Sequence, residues 1–150
     1  MNKAQVGKRG EQIAAKYLRR NGYDVIEKNL HISHEELDII AVNKDTIAFV
    51  EVKTRTGYPE QADYLSAPAS AVTYKKQEHL LRAANTYLAK NACSLQPRMD
   101  VIEVYLTPDS CLRPIDKLIE KITALFGVPC RRALHVNHIE NAFGAHGYRP

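Results

Sequence analysis

Two short runs hold side chains whose types and spacing suit chemistry. They are Glu36-Leu37-Asp38-Ile39-Ile40-Ala41-Val42 and Thr46-Ile47-Ala48-Phe49-Val50-Glu51-Val52-Lys53-Thr54-Arg55, with Asn43-Lys44-Asp45 between them. Both alternate with the period of a strand. The second puts Ile47, Phe49, Glu51, Lys53 and Arg55 on one face and Ala48, Val50, Val52 and Thr54 on the other. Asn43-Lys44-Asp45 supplies turn chemistry. If Lys44-Asp45 is the loop and Asn43 faces Thr46, Asp38 stands opposite Glu51 and Glu36 opposite Lys53. Directly opposed residues of a hairpin have Cβ atoms roughly 4.5–5.5 Å apart. Lys-Asp is not the favoured Asn-Gly type of loop, so this register is an expectation. Glu51 and Lys53 share a face under any register.

Like charges set opposite each other destabilise a hairpin. A bound divalent cation, which takes oxygen ligands, would remove the repulsion. A solvated strand face with local Glu-Lys pairs is the other reading of the same residues, and is common in antiparallel sheets. Pattern alone leaves both open.

Around this hairpin the chain must build elements that hold it. Residues 7–20 read as a helix, with Gly10, Ile13, Ala14, Tyr17 and Leu18 on one face and Lys8, Gln12, Lys16, Arg19 and Arg20 on the other. Asn21-Gly22 supplies a stop. Glu11, the one acidic residue of that stretch, falls on the flank of the apolar stripe. Tyr23-Asp24-Val25-Ile26 begins a first strand, and His31 to Glu35 reads as a polar connection. His31 and His34 there lack a second ligand pair at metal spacing. The stretch after Arg55 reads as a long loop in which Tyr58 or Tyr64 would either touch substrate or pack. Residues 71–91 form a second helix with Ser70 as N-cap, and Lys75 and Lys76 in its first turns are candidates for phosphate contact or for a solvated face. Met99 to Leu106 is a strand, and 114–126 is an amphipathic helix from Pro114 to Gly127. Arg132 to Ile139 is a last strand, in which His135 and His138 point to opposite faces. Gly144 to Pro150 reads as a loose tail. The order predicts an α/β fold, a central mixed β-sheet flanked by helices, in a single domain over residues 1–150.

The chain as a whole narrows the function classes. Its 150 residues suffice for a core of their own. No apolar run is long enough to span a membrane, and no apolar leader follows Met1, so no membrane partner is expected. Cys93, Cys111 and Cys130 are odd in number and far apart, which suits reduced thiols in a cytoplasmic protein. Net charge is +4. Residues 1–30 carry seven basic and three acidic side chains, whereas residues 31–55 carry three and five. An acidic pocket beside a basic element suits a phosphodiester substrate, although a mildly basic ordinary surface would look the same.

With Asp38 and then Glu51-Val52-Lys53 on the next strand, the chain resembles the Asp…Glu-x-Lys core of the restriction-endonuclease-like PD-(D/E)xK nucleases. More narrowly, it resembles the UPF0102 (YraN-like) family. The matching pieces are Gly10-Glu11, Ala14, Tyr17-Leu18, Gly22-Tyr23, Asn29, Glu36-Leu37-Asp38-Ile39-Ile40-Ala41, Phe49-Val50-Glu51-Val52-Lys53-Thr54-Arg55, Lys76 and Arg98-x-Asp100. They run in order from Val6 to about Leu106, and His138-Ile139-x-Asn141-Ala142-Phe143 recurs near the end. Two departures stand out. Glu35 takes the place of a glycine, adding charge at the mouth of the site, and the stretch 107–137 is longer than the usual connection.

The resemblance implies a restriction-endonuclease-like fold similar to that of archaeal Holliday-junction resolvases, which are homodimers that cut branched DNA. It implies Mg²⁺ (or Mn²⁺) held by Asp38, Glu51 and the Val52 backbone carbonyl. Glu11 would join directly or through water, with Glu36 as a second-tier ligand or partner of Lys53. Lys53 would serve the attacking water, and Arg55 and Lys76 would meet phosphates of the nucleic acid. Two other readings remain: a nucleic-acid-binding protein on a nuclease fold that does not cut, and a protein-interaction module using the 114–126 helix.

Overall fold

In a computed structural model of the chain, which describes residues 2–57, 72–106 and 135–144, five strands form one sheet in chain order. The expected 114–126 helix, the tail and the loop bearing Tyr58 and Tyr64 lie outside the described residues.

Helix α1 (Lys3–Arg20) starts four residues earlier than apolar spacing predicts. Asn2 and Gln5 form a reciprocal capping box that satisfies the first free N–H groups. The apolar stripe of α1 lies on one face of the sheet, where Ala14, Ala15 and Leu18 pack against Ile39, Ala41, Ala48, Val50, Ile102 and Val104. At Gly10 the helix comes close to the sheet: a Cβ there would overlap the Thr54 hydroxyl and reach 2.9 Å from the Thr54 Cβ. Only a glycine lets α1 lie this near.

Strands β1 (Asp24–Ile32), β2 (Glu35–Val42) and β3 (Thr46–Thr56) run antiparallel in turn. Strand β1 continues through His31, so the connection that the sequence suggests over His31 to Glu35 shrinks to a turn at Ser33-His34. Ser33 takes the left-handed conformation (φ 58°) that so short a reversal demands. The β2–β3 turn follows the expected register: Asn43 N–H donates to the Thr46 carbonyl, and Asn43 Oδ1 accepts from the Asp45 and Thr46 N–H groups.

Helix α2 (Tyr74–Lys90) crosses the other face of the sheet and returns the chain to β4 (Gln96–Leu106), parallel to β3. Its N-cap is Thr73, whose hydroxyl accepts from the Lys76 N–H, and not Ser70. Leu80, Ala83 and Ala84 of α2 pack on Leu37, Ile40, Ile47, Phe49, Met99 and Val101. Strand β5 (His135–Ile139) closes the sheet antiparallel to β4.

A buried polar clamp fastens this last strand. Asp100, wholly buried, accepts two bonds from Arg98 (both 2.8 Å) and one from the Asn141 N–H (2.9 Å), and faces His138 Nε2 at 3.0 Å. Arg98 donates in turn to the Tyr23 hydroxyl (2.7 Å) and to Glu140 (3.1 Å). The Arg98-x-Asp100 pair is thus structural. It ties β4, β5 and the residue before β1, Tyr23, with the bidentate geometry that makes such pairs strong. Among the described residues no helix is long and apolar enough to cross a membrane.

Candidate active site

The β2–β3 ladder pairs Val42–Ile47 through Ile39–Val50 and then ends. The hydrogen-bonding rhythm set by Asn43–Thr46 would next join Leu37 to Val52. Instead the Val52 N–H donates to Asp38 Oδ2 at 2.7 Å, while Leu37 pairs with Leu30 of β1. A side-chain carboxylate has captured the backbone donor, and β2, still paired with β1, parts from β3 and leaves a gap in the ladder. Where strands part at the carboxyl end of parallel neighbours, a sheet offers room for a ligand.

Three carboxylates are associated with this gap. Asp38 stands at its edge. Glu51, buried at 4% exposure, points along the α2 face of β3. Glu11 arrives from α1, held by Asn29 Nδ2, which donates to its Oε2 at 2.8 Å. Asn29 falls opposite Asp38, between the pairs Lys28–Ile39 and Leu30–Leu37, and adopts a left-handed backbone (φ 50°) that Asn tolerates. Burial pushes the Asp38 carboxyl up to about 7, and the charges of Glu51 and, more weakly, Glu11 add to the effect. The Val52 N–H and Lys76 act in the opposite sense.

Glu51 is only partly satisfied. Its Oε1 accepts from Lys53 Nζ at 2.8 Å. Its Oε2 lies 3.5 Å from Lys76 Nζ, too long and poorly aligned for a hydrogen bond, and has no hydrogen-bond partner. A buried acceptor left unpaired costs roughly 1–3 kcal/mol, so such an oxygen invites a cation. Among the described residues no three His, Cys, Asp or Glu side chains gather to hold a metal ion. A divalent ion here would therefore rest on Asp38, Glu51, the Val52 carbonyl and water, with Glu11 acting through water. Mg²⁺ suits that set, since it commonly keeps several waters and takes one or two carboxylates. The orphaned Glu51 oxygen and the raised Asp38 carboxyl fit such an ion.

Lys76, placed by helical spacing on the outer side of α2, turns half-buried toward Glu51, while Lys75 remains exposed. Glu36 is not brought in. It is exposed and 3.7 Å from His31, because the ladder that would have set it opposite Lys53 ends at Ile39. Glu35 adds no free charge to the mouth: it pairs with His79 Nδ1 at 2.9 Å and Arg82 at 3.6 Å on α2.

Beyond Glu51 the same face stays polar in successive rows across β3, β4 and β5. Lys53, Glu103 and Asn137 form one row, and Arg55, Tyr105 and His135 the next. Glu103, 4% exposed, is a residue that sequence reading passed over. The signal was present, since a parallel central strand reads as a near-continuous apolar run and Glu103 interrupts one between Ile102 and Val104. Burial, with the nearby Glu103 charge, raises the Tyr105 phenol above its ordinary value, so it remains an O–H donor.

The model of the Uncharacterised protein family UPF0102 matches residues 10–104, from Gly10 beside Glu11 to the row that holds Glu103. The chain belongs to the UPF0102 family. A UPF0102 protein of Caldanaerobacter subterraneus is 40% identical over 144 residues, covering 95% of this chain and 98% of its own. One from Alkaliphilus oremlandii is 38% identical over 146 residues, 95% and 100% of the two chains. A third, from Syntrophotalea carbinolica, is 46% identical over 100 residues, 66% of this chain and 77% of its own. The first two UPF0102 alignments take in almost the whole chain and so extend across the 107–137 stretch.

Proposed function

We propose that this protein is a metal-dependent nuclease that hydrolyses DNA phosphodiester bonds. The observation that carries the proposal is the gap beside β3, where Asp38 and a half-satisfied, buried Glu51 meet with Lys53 Nζ 2.8 Å from Glu51. The order of elements, with an N-terminal helix, three antiparallel strands and a helix leading to a parallel fourth strand, is compatible with a restriction-endonuclease-like fold. Its resemblance to the junction resolvases extends the proposal to branched DNA and a homodimer, which sedimentation velocity tests.

A bound Mg²⁺ or Mn²⁺ would polarise the phosphoryl oxygen and lower the pKa of its water. Asp38 and Glu51 would hold the ion, and the Val52 N–H fixes Asp38 in place. Glu11, steadied by Asn29, orients water on the α1 side. Lys53 positions the attacking water and offsets phosphate charge. Lys76 restrains Glu51 from α2, 3.5 Å from its Oε2, and would add positive charge for a phosphate there.

The test is Mn²⁺-dependent cleavage across branched, flapped, duplex and single-stranded DNA, with Asp38→Ala and Lys53→Ala alongside. Cleavage by the unaltered protein and its loss in both variants is the expected result. Binding without cleavage of any substrate would favour the second reading, a nucleic-acid-binding protein that does not cut.

A further inference from the structure

We infer that Arg55, set in place by Glu103, forms a subsite for a phosphate group of the nucleic-acid strand, next to the carboxylate pair. The identity of that strand rests on the nuclease reading; the anion subsite itself does not.

Two buried polar atoms on the α2 face of β3 lack hydrogen-bond partners: Glu51 Oε2 and Arg55 Nε. They are opposite in character, an acceptor that calls for a cation and a donor that calls for an anionic oxygen. Four residues separate them, about 13 Å along a strand. Arg55 therefore meets a phosphate farther along the strand than the one that Glu51 and Asp38 would address. A metal cation with a polyanionic strand lying along β3 satisfies both atoms at once.

Glu103 holds one end of the Arg55 guanidinium on this face. Its carboxylate accepts from Arg55 Nη2 (3.4 Å), the Tyr105 hydroxyl (3.4 Å) and Asn137 Nδ2 (3.2 Å), one contact from each of the three central-to-edge strands. All three are at or beyond the long end of the hydrogen-bond range. The Arg98–Asp100 pair differs, being shorter at 2.8 Å and using its Nε donor. Glu103 instead restrains one corner of the guanidinium through Nη2 and leaves the buried Nε without a partner. Arginine suits the task because its planar fork matches phosphate oxygens, which a lysine ammonium cannot reproduce. Glu103 is thus a positioning residue.

The experiment follows the Arg55 Nε–H resonance in the ¹⁵N-labelled full chain, assigned by its absence in Arg55→Lys. Inorganic phosphate is titrated first, then a short single-stranded oligonucleotide in the presence of EDTA. The resonance should shift saturably with both. Arg55→Lys should weaken oligonucleotide binding about tenfold despite keeping its charge. Glu103→Gln should weaken it several-fold, and Glu103→Asp should recover part of the loss. The proposal is overturned if the resonance of the unaltered protein stays fixed with both ligands, or if Arg55→Lys binds as tightly as the unaltered protein. A shift with phosphate and no cleavage of any DNA would refute the nuclease reading while supporting the subsite. Normal cleavage with an unmoved resonance would do the reverse.

Discussion

Replacing Asp38 by Asn tests whether repulsion within the gap is real. Burial and the Glu51 charge push this carboxyl from 3.8 to about 7. The folded protein therefore holds a proton on Asp38 across a range where the unfolded chain has lost it. Stability from this group is present below pH 3.8 and is lost as pH rises through about 7. Three pKa units at about 1.4 kcal/mol each set an upper value of about 4 kcal/mol. Asp38 is only half-buried, and solvent screening brings this nearer to about 2 kcal/mol. The Asp38→Asn side chain keeps an oxygen for the Val52 N–H but carries no charge. It should match the unaltered protein near pH 4 and exceed it by about 2 kcal/mol at pH 8. For a chain of this size that corresponds to about 4–8 °C in Tm. Thermal unfolding at half-unit pH steps measures it. Adding Mn²⁺ at pH 8 should raise the Tm of the unaltered protein and leave Asp38→Asn unmoved, since only the former has the charge to bind it. An offset that stays constant with pH, or a variant less stable at pH 8, would refute the reasoning.

Lys53→Ala should lower Mn²⁺-dependent cleavage by about a hundredfold or more while DNA affinity changes little, because positioning the attacking water contributes on that scale; single-turnover kinetics beside a binding titration read the two separately. Gly10→Ala should destabilise by about 1–3 kcal/mol in urea unfolding, since its Cβ overlaps Thr54. Adding Thr54→Ala should restore part of that loss. Asp100→Ala should cost about 3–5 kcal/mol, because it leaves Arg98, His138 and the Asn141 N–H without their acceptor; urea unfolding checks it, and loss of amide protection in β5 should accompany it.

The alternation of Glu36 to Arg55 and the turn chemistry of Asn43 indicate the hairpin without reference to the rest of the molecule, because a period of two assigns each side chain to a face. The same is true of the mixed α/β order and of the stripe on α1. The register of the hairpin and the point where its ladder stops are read only from the structure. What local pattern misses is where elements end when a side chain, and not propensity, decides. Asn2 and Gln5 extend α1, Thr73 displaces Ser70 as the cap of α2, and β1 absorbs His31 because β2 pairs with it as far as Glu35.

The candidate site divides along the same line. Asp38, Glu51 and Lys53 are legible as charges on strand faces near a core, and Glu11 as the single acid of a basic helix. How they are held is not legible, because it depends on Gly10 admitting the helix, on Asn29 reaching Glu11, and on Asp38 taking the Val52 N–H where the ladder stops. Lys76 turns inward, Glu36 stays out, Glu35 is neutralised by α2, and Glu103 joins the polar rows only through the parallel register of β3 and β4. Sequence determines which face each residue occupies, through a local repeat of the backbone. Only tertiary structure decides which faces meet and which charges find partners, since those contacts join residues far apart in the chain and depend on how closely the helices approach the sheet.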